Sequence, residues 1–182
     1  MAAFKLDPYH TQVEFAAKHF GMMTVRGTFT EVSVEGQVDV DNPQKSHVEV
    51  EINVDSLRTH NAARDKDLLS SNFLQADKYP KISWKSTKFE PAGNDKGEVS
   101  GDLTIKGVTK PVALKVIKYG EINDTMMGHR LSYAAETRIN RRDFGMTFDM
   151  MADGKFVVAP EIQINIEGEL VEEKQPAEVG AH

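Results

Sequence analysis

Alternation dominates this chain. Val13, Phe15 and Ala17 sit between Gln12, Glu14 and Lys18, and Val32, Val34, Gly36, Val38 and Val40 between Glu31, Ser33, Glu35, Gln37 and Asp39. Val48, Val50, Ile52 and Val54 repeat the pattern, as do Ile82 with Trp84, then Val99, Gly101, Leu103 and Ile105. Val112, Leu114 and Val116 follow, then Leu131, Tyr133, Ala135, Thr137 and Ile139, and last Ile162, Ile164, Ile166, Gly168 and Leu170. A period of two puts successive side chains on opposite faces of a strand. About eight strands are predicted, with residues 24–40 bent or bulged near Glu31. Asp41-Asn42-Pro43, Pro91-Ala92-Gly93-Asn94, Lys106-Gly107-Val108 and Asn123-Asp124 supply the turns. One segment departs from the pattern: residues 61–75 read as a helix, with Asn61 as N-cap and Leu68 and Leu69 on its apolar side. Residues 172–182 are polar and aperiodic and are expected to fray. The remainder, 4–171, has no repeat, low-complexity tract or linker, which predicts one all-β domain with one helical insertion.

The two faces of these strands are unequal. One is Val, Ile, Leu and Phe; the other is Glu, Gln, Lys, Asp and Asn. An outer-membrane barrel needs its apolar face outward. Here the charged face must meet water, so the apolar face points in. Eight antiparallel strands then close into a barrel or fold into a sandwich, and a barrel of that size is either filled by side chains or hollow enough for one small ligand. Small residues at inward positions, among them Ala17, Gly27, Gly36, Gly101, Ala135 and Gly168, fit two readings: sheet curvature, or close approach of another group.

The chain of 182 residues is long enough to bury a core without staples. Its formal net charge of -6 argues against nucleic acid held through phosphates. It has no cysteine, which removes thiol nucleophiles, disulfides and Cys-based zinc sites. Its apolar stretches are too short for a membrane-spanning helix. The first residues, Met1-Ala2-Ala3-Phe4-Lys5, lack a basic head and apolar run, so the expected location is cytoplasmic as written, or periplasmic if a leader was removed.

Candidate chemistry is sparse. Arg58, Thr59, His60, Asn61, Arg64 and Asp65 crowd the strand-to-helix corner. They read either as a polar mouth for a ligand head group or as a capping network, with Asp65 paired to Arg64 or closing the corner. Arg141 and Arg142 either hold a ligand anion or pair with Asp65 or Asp143 to lock the barrel ends. His19 shares the inward face of Phe15 and Ala17. His10, His19, His60 and His129 show no helical i,i+4 or strand i,i+2 ligand spacing, so no metal site is assigned. There is no G-x-S-x-G elbow, G-x-G-x-x-G or P-loop.

Several pieces in order carry a resemblance: Asp7-Pro8-Tyr9-His10-Thr11, Lys18-His19, Val25-Arg26-Gly27-Thr28-Phe29, Ser56-Leu57-Arg58-Thr59-His60-Asn61 with Arg64-Asp65 and Leu68, Asn72-Phe73, and Tyr79-Pro80-Lys81-Ile82. The stretch from Gly101-Asp102-Leu103-Thr104-Ile105 through Lys106-Gly107-Val108-Thr109-Lys110-Pro111-Val112 and the segment Asn140-Arg141-Arg142-Asp143-Phe144-Gly145-Met146 complete it. Along nearly its whole length the chain resembles the YceI-like family, a lipocalin-like group of bacterial lipid-binding barrels. It departs in Thr11, where the family often has Ser, in Asn72-Phe73-Leu74, where many members have two consecutive Phe, and in the secretory leader that many members carry. The resemblance implies an eight-stranded antiparallel lipocalin-like barrel, the helical segment closing one end, around an elongated cavity for a polyisoprenoid or similar amphiphile. It implies no catalysis.

Burying about 15 methylene groups gains roughly 12 kcal/mol gross at about 0.8 kcal/mol each, against association costs of several kcal/mol. What the resemblance implies is thus energetically ample, and the expected function is binding of a long-chain isoprenoid, a polyprenoid or quinone, for carriage, storage or sequestration, with no other cofactor. Fatty-acid or fatty-amide binding, an enzyme using His10, His19 or His60, and a packed barrel acting through its surface are the competing readings. Inward parity predicts a lining of Val13, Phe15, Phe29, Val50, Ile52, Trp84, Leu103, Leu114, Leu131, Tyr133 and Ile164, joined by His19 and Phe73, with Arg58, His60, Asn61, Arg64 and Arg141 as mouth or head-group residues. A one-residue slip would invert a strand's set. A homodimer through loops or exposed apolar side chains is left open.

Overall fold

β-Branched and aromatic residues suit a pleated, half-buried surface, and the alternating segments form strands throughout. The chain is described over residues 4–173 by a computed structural model. In order it forms β1 (Phe4–His19), β2 (Met23–Phe29), β3 (Val32–Gln37), β4 (His47–Asn53), β5 (Leu57–Arg58), α1 (Ala62–Leu69), β6 (Lys81–Gly93), β7 (Lys96–Ile105), β8 (Val108–Asp124), β9 (Gly128–Asn140), β10 (Met151–Ala152), β11 (Lys155–Phe156) and β12 (Glu161–Glu172).

A single ten-stranded antiparallel sheet runs β3-β4-β6-β7-β8-β9-β12-β1-β2-β5, and β10 and β11 form a separate small ribbon. The expected count of eight strands is thus corrected to ten. The stretch from residue 24 to 40 breaks at Thr30 and Glu31 into β2, which pairs with β1, and β3, which pairs with β4. The two-residue β5 then adds to the far edge of β2. The sheet curls into a half-barrel rather than a fully laddered ring: β1 meets the segment just after β3 through one isolated bridge, Phe4–Val38, where Val38 N donates to Phe4 O at 3.3 Å.

The helix is shorter than its sequence suggests. Asn61 caps it, its side chain accepting from Arg64 N at 3.0 Å. It stops at Leu69 because Ser70 turns back on Asp67 O through both its amide and its hydroxyl. Residues 70–79 continue as hydrogen-bonded turns, with Leu74 N on Leu68 O and Gln75 in the left-handed region at φ 51.

Two apolar clusters mark the two ends. Near α1, Val54, Phe73, Ala76, Ile82, Ile105, Ile139, Phe144 and Met146 pack together with Trp84 and Leu103. At the other end Phe4, Leu131 and Leu170 form a plug, with Leu6, Val38 and Tyr133 against it. Of the polar tail expected from residue 172, Glu172 closes β12 opposite Phe4; residues 174–182 lie outside the described residues.

Candidate functional site

The interior is hollow. Between the plug and α1 lies a cavity of about 600 Å³, inside the range of roughly 300–1,000 Å³ that houses small-molecule ligands. Each long strand lends its inward parity to the wall: Val13 and Phe15 from β1, Phe29 from β2, Val50 and Ile52 from β4, Trp84 from β6, Leu103 from β7, Leu114 from β8, Tyr133 from β9 and Ile164 from β12. His19, at the end of β1, and Phe73, in the turns after α1, also face it.

Leu131 does not. It has the inward parity of Tyr133, but it sits beyond the void and is spent in the plug with Phe4 and Leu170. Alternation predicts a face; it does not predict how far along the barrel the hollow extends. The irregular 141–160 segment, which has no periodicity to read, adds Arg141, Met146, Val157 and Val158 to the lining.

Aromatic rings explain two strand glycines. A Cβ at Gly27 would fall 2.3 Å from Phe15 Cζ. At Gly101 it would fall equally close to the Trp84 indole. These glycines are places of close approach, and the rings they admit form the cavity wall.

The mouth is at the α1 end. The lining residues that are also exposed, Lys18, Ala63 and Asp67, all stand there, between the close of β1 and the face of α1. The polar groups of the wall gather near them. His19 Nδ1 donates to Val157 O at 2.8 Å. That bond leaves Nε2 as the ring's free acceptor when the imidazole is neutral. Arg64 Nε donates to Thr59 Oγ1 at 2.8 Å and Arg64 Nη2 to Thr59 O at 2.7 Å. Asp65 accepts from Thr59 N at 2.9 Å and from its hydroxyl at 2.5 Å. The corner cluster is therefore a closed network around Thr59, which offsets the left-handed backbone of His60 at φ 60.

The expected mouth residues divide. Arg64 and Arg141 line the cavity. Arg58, His60 and Asn61 do not; they border a separate surface groove beside α1. Arg58 turns away to donate to the carbonyls of Asp55 and Leu57. Arg141 is 2% exposed and structurally committed, donating to Ala159 O, Met146 O and Val158 O and pairing with Asp149 at 2.8 Å. Its acid is Asp149, not the Asp65 or Asp143 that the sequence offered. Although burial pushes the other way, Arg141 and Arg142 hold the Asp149 carboxyl below its ordinary range.

The other histidines are scattered. His10 pairs with Asp7 at 2.9 Å, at the plugged end. That hydrogen bond, against a desolvation cost and with Arg130 assisting, lowers the Asp7 carboxyl to about 2. Asp7, His10 and Glu169 present their ligand atoms within 4.8 Å of one another. Arg130 Nη1 already donates to Asp7 at 3.0 Å and Glu169 at 2.9 Å, so the cluster carries its own cation. His129 is gripped by Glu121 and Glu172, and the first of these contacts chiefly raises its pKa. Among the described histidines, His19 is the one that reaches the void.

Comparison with known proteins agrees with this geometry. A family model described as "YceI-like domain" matches residues 4–170. The protein named YceI of Salmonella arizonae is 36% identical over 169 residues, spanning 92% of this chain and 86% of its own. The crystal structure of Burkholderia cenocepacia BcnA superposes with a TM-score of 0.78 at 21% identity, over 91% of this chain and 99% of that one. A polyisoprenoid binding domain from Saccharophagus degradans superposes with a TM-score of 0.65 at 11% identity, over 95% of this chain and 100% of that one.

Proposed function

This chain belongs to the YceI-like domain family, and on that premise we propose that it binds a long-chain isoprenoid, a polyprenoid or quinone, in its cavity for carriage, storage or sequestration. The observation that carries the reading is the void itself: a continuous space of about 600 Å³ walled by Val, Ile, Leu and Phe from every long strand. Solvent in such a space forms few hydrogen bonds, and hydrocarbon is the guest that gains by replacing it. The ligand that the Saccharophagus degradans domain is described as binding, a polyisoprenoid, is of this chemical type.

The polar groups at the mouth suit a small, lightly charged head. Arg141 has spent most of its donors on carbonyls and on Asp149, and Arg64 gives two of its five to Thr59, which leaves one partly free guanidinium, too little for a pyrophosphate. His19 Nε2 and Lys18 remain at the rim. Binding and release need no covalent step, and the reading assigns none. A fatty acid is the second reading, favoured by one observation: Lys18 at the rim has no acidic partner among the described residues and offers a cation to a carboxylate.

Organic-solvent extraction of the purified protein with mass spectrometry of the extract tests both. A near-stoichiometric isoprenoid supports the first reading and an acyl chain the second. Protein that comes out empty, and takes up none of the quinones, polyprenols and fatty acids offered to it, overturns both.

A further inference from the structure

The cavity mouth has an apolar lip. Met22 in the β1–β2 turn and Met23 at the start of β2 are 63% and 70% exposed; Met150 and Met151, 57% and 54% exposed, precede and open β10, close in sequence to Phe148. The two segments adjoin: Phe20 N donates to Phe156 O at 3.0 Å, Ala159 N to Lys18 O at 2.9 Å, and Val157 N to Met150 O at 2.9 Å. Val157 and Lys18 both line the mouth, so the lip is continuous with the cavity wall. Contiguous exposed apolar side chains mark interaction or membrane surfaces, and flexible thioethers adapt to an irregular partner.

Charge says which partner. Lys18, Lys66, Lys106 and Lys155 stand at this end with no acidic partner within ion-pair distance among the described residues. Of the acids nearby, Asp149 is neutralised by two arginines and Asp65 is tied to Thr59, while Asp67, Asp77, Asp143 and Asp153 remain; Arg58 and Arg64, also without an acid at ion-pair distance among the described residues, keep this end positive. The opposite end also exposes methionines, Met126 at 91% and Met127 at 56%. There the neighbours are Asp7, Glu121, Asp124, Glu169 and Glu172, only part of whose charge is met by Lys118, Arg130 and His129. An anionic surface attracts the first end and repels the second.

We propose that the lip formed by Met22, Met23, Phe148, Met150 and Met151 docks the cavity mouth onto an anionic lipid bilayer, where the guest passes between membrane and cavity. The exchange step rests on the lipid reading of the cavity given above. Docking places the apolar lip at the headgroup boundary and the lysines against lipid phosphates, so a hydrocarbon guest never crosses open water.

The test is flotation of the full chain with phosphatidylglycerol–phosphatidylethanolamine vesicles, compared with phosphatidylcholine vesicles, at low and high salt. The expected result is binding to the anionic vesicles that weakens with salt. M22S/M23S/M150S/M151S lowers the bound fraction by about tenfold or more, and M126S/M127S leaves it unchanged. Wild type that stays free of anionic vesicles, or equal loss in both variants, overturns the proposal. A dimer in sedimentation that the quadruple variant abolishes, with no vesicle binding, overturns it in favour of a second copy of the chain. Lipid content is measured on the same samples. A filled cavity without vesicle binding removes docking and leaves the lipid reading intact; vesicle binding by a cavity that accepts no lipid keeps docking and removes exchange.

Discussion

Trp84 occupies the space that a side chain at Gly101 would need: a Cβ there would lie 2.3 Å from Trp84 Cε2. Gly101 faces into the half-barrel on β7, and Trp84 reaches it from β6, where its register partner is Leu103. The indole wall of the cavity thus depends on a missing methyl group one strand away. Gly101→Ala should force the ring toward the void, at a cost of about 1–3 kcal/mol for overpacking. Trp84 is the chain's single tryptophan, so its emission reports the change directly. Unaltered emission together with unaltered stability in urea would show that the contact is soft.

Filling the cavity should empty it of guest. Ala135 is a small residue of the wall on β9, and Ala135→Phe extends a ring into the space. Lipid recovered on extraction should fall by half or more while the circular dichroism spectrum and cooperative unfolding are kept. Leu103→Trp, two strands away on β7, should do the same. Occupancy equal to wild type in both variants argues that the guest does not use this space.

Arg141→Ala should be among the most damaging single changes. The buried guanidinium satisfies three carbonyls, those of Met146, Val158 and Ala159, and one oxygen of Asp149. Removing it orphans acceptors that tie the 141–160 segment to the mouth, at a cost of about 2–4 kcal/mol. Chemical denaturation measures the loss. A change below about 0.5 kcal/mol would mean that water replaces the lost donors.

At the plugged end, His129 donates to Glu121 on β8 and Glu172 on β12, with its ring edge against Phe4 at 5.0 Å between centroids. Glu121 first, and Glu172 after a desolvation cost, raise its pKa above the ordinary 6.5. The sign follows from linkage: the stabilisation is complete below pH 6.5 and fades as pH rises through the higher folded value. His129→Gln should therefore lower Tm at pH 6 and make little difference near pH 9. An equal deficit at both values would assign the effect to packing on Phe4 rather than to charge.

Asp7 runs the other way. Its carboxyl is lowered from 3.8 to about 2, mainly by His10, with Arg130 assisting against desolvation. Its contribution is present above pH 4 and fades as pH falls toward 2. Asp7→Asn should destabilise at pH 7 and converge on wild type in acid melts; a constant gap down to pH 2 would refute the assignment.

Much of this was legible in the alternation, for a physical reason. Val13, Val50, Leu114 and Ile164 lie on strands whose opposite faces are charged, so one parity had to be interior. Parity fails where geometry along the barrel axis decides. Leu131 and Tyr133 share a face, yet one belongs to the plug and the other to the cavity wall. The strand count fails at Thr30 and Glu31, where one alternating stretch bends to serve two ladders. At the mouth, Arg58, His60 and Arg64 look alike in sequence, but hydrogen bonds to Thr59 turn Arg64 inward while the carbonyls of Asp55 and Leu57 hold Arg58 outside. The Asp7 to Thr11 motif proved to be a knot: Asp7 binds Tyr9 N, His10 and Arg130, and Thr11 donates to Asp7 O, inside the bulge between β1 and β12. The 141–160 segment carried no periodic signal, and nothing in it announced that Val157 and Val158 would frame the opening.

Phe4, Leu131 and Leu170 make the hollow a blind alley. A chain-like guest would go in tail first, stop against that wall, and leave by reversing its path. The depth would then act as a ruler: carbons up to a fixed number would be sheltered, and any surplus would hang outside with the head. Moving the stop, by trimming Leu131 or Leu170, would change the length measured rather than the chemistry accepted.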